Sequence, residues 1–68
     1  MIKFVKLTPL YFDQKSVRRE DLPIYVNYKF IVSFGYSDKF MNLVEVYLIS
    51  RETAMLVKES VEEILSQF

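Results

Sequence analysis

The chain contains no cysteine, no histidine, one glycine and two prolines in 68 residues. Without cysteine there is neither a disulfide nor a thiolate metal site, and without histidine the commonest transition-metal ligand is missing too. An excess of charge is also lacking. Nine Lys plus Arg stand against nine Asp plus Glu, so the chain carries no electrostatic footprint for nucleic acid or an anionic membrane. No apolar run reaches the 18 or so residues of a membrane span. Lys3 and Lys6 interrupt the first apolar stretch, which therefore lacks the continuous hydrophobic region of a signal peptide. The expectation is a cytoplasmic protein with no membrane insertion and no cofactor.

What the chain has is hydrophobicity: 51% of its residues are apolar and 16% aromatic. Its length allows a single small domain, residues 1–68. Such a domain buries only about 60% of its unfolded surface and is marginal without a staple. With disulfides and thiolate metals excluded, self-association is the remaining staple, and the composition predicts a homo-oligomer.

The last third organises the chain. Residues 43–50, LVEVYLIS, place Val44, Val46 and Leu48 on one face of a strand. Arg51-Glu52 interrupts the run and residues 53–57 resume it, which predicts a tight antiparallel hairpin. Ser60 followed by Glu63 has the spacing of a capping box, so a helix is expected to start at Ser60. Val61, Ile64, Leu65 and Phe68 then form one apolar stripe, with Glu62, Glu63, Ser66 and Gln67 facing water. A helix this short must dock on something, most simply a sheet face.

Earlier in the chain, residues 2–7 read as a strand that Pro9 ends. Leu10, Tyr11 and Phe12 either extend a strand or cover an edge. Residues 13–21, DQKSVRRED, form the only sustained polar run and read as a surface loop with a helical turn near Ser16. Ile24 and Val26 alternate against Tyr25 in a short strand, and Asn27 suits a turn. Residues 30–36, FIVSFGY, read as a strand with Phe30, Val32, Phe34 and Tyr36 on one face and a bulge or close approach at Gly35. Residues 37–42 close a hairpin, with Phe40 and Met41 unusually apolar for a loop tip. The fold class expected is α+β: a small, twisted antiparallel sheet of about five strands with one C-terminal helix.

No phosphate loop, nucleophile elbow or metal spacing occurs, so the chain is not read as an enzyme. Its one carboxylate cluster, Glu59, Glu62 and Glu63, reads as acidic residues meeting the positive end of a helix dipole. Aromatics beside basic residues form an alternative single-stranded nucleic-acid surface of Lys15, Arg18, Arg19, Tyr25 and Tyr28. Glu20 and Asp21 cancel the two arginines locally. A protein-interaction surface is expected from Phe34, Tyr36, Phe40, Met41 and Tyr47.

Several segments carry a family resemblance: Met1-Ile2-Lys3, Ile24-Tyr25-Val26-Asn27, Ile31-Val32-Ser33, Val46-Tyr47-Leu48-Ile49-Ser50, and Leu56 through Ile64, LVKESVEEI. Together they resemble the FlbD/SwrD-like family of small bacterial flagellar and swarming motility proteins. The resemblance implies a small β-rich accessory or regulatory protein without catalytic residues. Residues 8–22 are an insertion relative to that pattern, and Arg51-Glu52 stands where the family has a turn glycine. Surface insertions cost little, so the fold survives them.

Overall fold

In the computed structural model, which describes residues 2–68, the chain forms seven short strands and one helix. The strands form three antiparallel sheets of two or three strands, not one sheet of about five. Strands β1 (Phe4–Leu7) and β4 (Ile24–Asn27) pair with Val5 opposite Val26 and Leu7 opposite Ile24. Val5 and Leu7 are fully buried while Phe4 and Lys6 point out, the clean alternation of a half-buried strand.

Residues 8–22 adopt regular structure over much of their length. Strands β2 (Leu10–Phe12) and β3 (Arg18–Glu20) form a hairpin that continues the β1–β4 ladder. Leu7 faces Ile24 but Leu10 faces Glu20, so residues 8–9 oppose residues 21–23. The surplus residue bends the hairpin, and Pro9 and Pro23 sit at the bend, where a ladder donor is not required. The Asp21 amide still donates to the Pro9 carbonyl at 2.8 Å. The polar run is thus a strand and its turn, not a loop. Ser16 has φ of 61° and occupies the turn as a left-handed residue instead of opening a helix.

Tyr28–Phe30 form a single 3₁₀ turn that carries β4 into β5 (Ile31–Tyr36). Asn27 directs it, accepting the Lys29 amide at 3.0 Å, which is the role its side chain suggests. Phe30 therefore lies outside the strand. The bulge expected at Gly35 falls at Val32: Ile31 pairs with Leu48 and Ser33 with Tyr47. Ile31 and Phe34 consequently pack toward the core, and Val32 is 65% exposed. A Cβ on Gly35 would meet nothing within 4 Å, so no neighbour approaches closely there.

Strand β5 pairs with β6 (Val44–Leu48), and β6 with β7 (Met55–Val57). Val44 and Val46, which share one face of β6, are both buried. The last hairpin is wider than expected, with residues 49–54 linking the strands. A Pro9–Val57 bridge and a 2.9 Å bond from the Lys58 amide to the Thr8 carbonyl join this sheet to the bent hairpin.

Helix α1 (Val61–Leu65) begins after Ser60, whose hydroxyl accepts the Glu63 amide while the Glu63 carboxylate accepts the Ser60 amide. Ile64 completes the core with Val5, Leu7, Val44, Val46 and Val57. Of the predicted stripe, Leu65 stays 55% exposed, and Phe68 packs edge-on to Tyr28 and tilted against Phe34. The molecule measures 42 × 23 × 22 Å, elongated for its size.

Candidate interaction surface

A small sheet protein must dispose of its strand edges, because unpaired backbone groups invite further strands. Strand β1 has its free edge sealed by the chain's own C-terminal residues. Gln67 spans the Lys6 peptide groups, accepting its amide at 2.7 Å and donating to its carbonyl at 3.1 Å. Glu59 accepts both the amide and the hydroxyl of Thr8 at 2.7 Å. The outer edge of β7 meets Pro9 and Thr8.

Strand β5, like β3 and β4, carries no such clamp among the described residues. It has a strand neighbour on one side only. The Ser37 amide donates to the Leu43 carbonyl at 2.8 Å, which fixes the alternation of this ladder: Ser33 and Gly35 bond to β6, while the peptide groups of Phe34 and Tyr36 face outward. Among the described residues no side chain hydrogen-bonds to those outward groups, while α1 and the chain end pack close to the strand through Glu62 and Phe68.

The five residues expected to form one interface are divided. Phe34 lies half-buried against Phe68, and Tyr36 shares its face at the rim, donating its hydroxyl to Glu62 at 3.3 Å. Tyr47 stands on the opposite face of the sheet. Phe40 is not a bare loop tip: its ring stacks on Phe12 of the β2–β3 hairpin with centroids 5.2 Å apart. Phe40 and Tyr47 line one shallow groove of about 470 Å³ with Leu56, beside Glu45 and Glu52. Met41, 87% exposed, lines a second depression with Leu10, Arg18 and Lys58.

The residues of the nucleic-acid alternative are likewise dispersed. Tyr28 packs inward against the core and Phe68, whereas Tyr25 projects from the outer face of β4, 66% exposed. Lys15 sits at the hairpin tip, and its amide donates to Asp13. Arg19 is paired with Asp13 at 3.0 Å, and Lys58 with Glu20 at 3.4 Å. The Val17 amide and then the Arg19 guanidinium hold the Asp13 carboxyl below its ordinary value of 3.8. The Glu59, Glu62 and Glu63 carboxylates bind Thr8, Tyr36 and the helix cap respectively.

Comparison with protein-family models, curated proteins and solved structures gives no match for this chain. No helix among the described residues is long and apolar enough to cross a membrane.

The sealing of β1 has no signature in the sequence. It joins residues 61 and 51 apart, and a glutamine and a glutamate near a short helix read equally well as solvated side chains.

Proposed function

We propose that the protein is a non-catalytic interaction module that self-associates. Surface area carries this reading. Folded monomers of 8.2 kDa expose about 4,500 Å², and this chain exposes 5271 Å². The excess is close to the roughly 800 Å² that each partner contributes to a standard interface. The surplus is also apolar: among the described residues sixteen large hydrophobic side chains are exposed and seven are buried. With equal numbers of positive and negative side chains, two copies approach without net repulsion.

The resemblance to small flagellar and swarming proteins adds an expected setting, as an accessory to bacterial motility machinery. The test is the solution mass by light scattering over a dilution series. The expected result is a mass of at least twice 8.2 kDa that falls on dilution. A mass of 8.2 kDa at every concentration rejects self-association.

A further inference from the structure

Resting on the self-association just proposed, we infer that two chains pack face to face through the outer face of the β5–β6–β7 sheet, with their strands running in opposite directions. The inner face of this sheet is spent on the core, where Ile31, Phe34, Val44 and Val46 pack. On the outer face Glu45 and Tyr47 alternate with those buried valines, and Leu56 lies across from Glu45. The bulge turns Val32 to the same side as Tyr47, and Ile49 follows Tyr47 by alternation. An antiparallel sheet whose second face meets water carries polar residues on it. Here Val32, Tyr47 and Ile49 are 65%, 45% and 64% exposed, and an apolar sheet face is stable only against a second layer.

The occupant is a second copy. The surplus of exposed surface amounts to about one standard interface per chain, so a single covered face suffices. Phe40, Tyr47 and Leu56 line the groove on this face, and Lys39 and Glu52 line it from the loops at opposite ends of β6. Among the described residues neither has an oppositely charged partner within 4.0 Å. A copy laid on the face with its strands reversed brings Lys39 over the end that holds Glu52, and the two-fold axis makes that pair twice. Parallel strands would set Lys39 against Lys39. Glu45 tolerates cover because its carboxylate accepts the hydroxyls of Ser37 at 3.1 Å and Tyr47 at 3.4 Å. The other exposed apolar face, Phe4 and Tyr25 on the outside of β1 and β4, suits a second copy less. Lys6 stands directly opposite Tyr25 there, and neither strand holds a carboxylate to meet the lysine of another chain.

Two sets of variants test the face and the direction of packing. Ile49→Lys changes an exposed side chain, so the solution mass is expected to fall to 8.2 kDa with an unchanged circular dichroism spectrum. Tyr25→Lys, on the other apolar face, is expected to leave the mass as in the wild type. Lys39→Glu sets like charges together twice and is expected to weaken association about tenfold, and adding Glu52→Lys is expected to restore it. If the wild type self-associates but Ile49→Lys keeps its mass, or Tyr25→Lys lowers it, this face is overturned and self-association stands. If Glu52→Lys fails to rescue Lys39→Glu, the reversed packing is overturned. A wild-type chain of 8.2 kDa at every concentration overturns both self-association and this face.

Discussion

The Glu59 carboxylate takes both the amide and the hydroxyl of Thr8, each at 2.7 Å, across 51 residues of sequence. Among the described residues Thr8 is the one buried polar residue, 7% exposed, and it follows β1 at the bend of the hairpin. Among the described residues no buried side-chain nitrogen or oxygen lacks a partner.

Replacing Glu59 by Ala strips the Thr8 amide and hydroxyl of their acceptor while leaving them buried. The expected cost is about 1–3 kcal/mol, a large part of the roughly 3–10 kcal/mol that a chain of this length commands. Chemical denaturation checks it: the midpoint should fall with the slope unchanged. Thr8→Val combined with Glu59→Ala should cost less than the sum of the single changes, because both then act on one bond. Additive costs would mean the pair is not coupled.

The hairpin tip should respond to acid. Asp13 accepts the Lys15 and Val17 amides and the Arg19 guanidinium, and its folded pKa lies below 3.8. A depressed carboxylate contributes stability above its unfolded pKa, and that contribution is lost as pH falls through the lower folded value. The expectation is that the Val17 amide resonance shifts with a midpoint below 3.8, and that Asp13→Asn abolishes this transition. A midpoint at or above 3.8 would contradict the geometry.

The Phe12–Phe40 stack ties the β2–β3 hairpin to the loop between β5 and β6. A double-mutant cycle with Phe12→Ala and Phe40→Ala should give a coupling energy of about 0.5–1.5 kcal/mol. The single change Phe12→Ala should also quicken hydrogen exchange in the loop at residues 37–42. No coupling would show that the hairpin and loop move independently.

Short-range features were legible in the sequence. Ser60 and Glu63 announce the helix start, because a capping box is complete within four residues. Val44 and Val46 share one face of β6 by alternation, but both faces of that run are largely apolar, so which one is buried was not legible. Asn27 announces its turn because it bonds only two residues ahead. Features requiring distant partners were not legible. Arg18–Glu20 become a strand because Leu10–Phe12 pair with them, and nothing in a run of charged residues records that partner. The bulge settles at Val32 rather than Gly35 because Ile31 and Phe34 both pack against the core and one residue must be thrown outward between them. Of the candidate interface, Tyr36 lies at a surface rim, whereas Phe34 and Phe40 are engaged by Phe68 and Phe12, rings far away in the chain.

The Gln67 clamp on Lys6 links the shelf life of the protein to a very small motion. The residues that follow α1, beyond the buried Ile64, are expected to fray more often than the whole domain unfolds. Each such event withdraws Gln67 and presents a fresh strand edge at β1. Aggregation during storage should then follow the frequency of this fraying, read from hydrogen exchange at the Lys6 amide, and not the melting temperature. Two variants of equal global stability would differ in how long they remain in solution if only one of them loosens the end of α1.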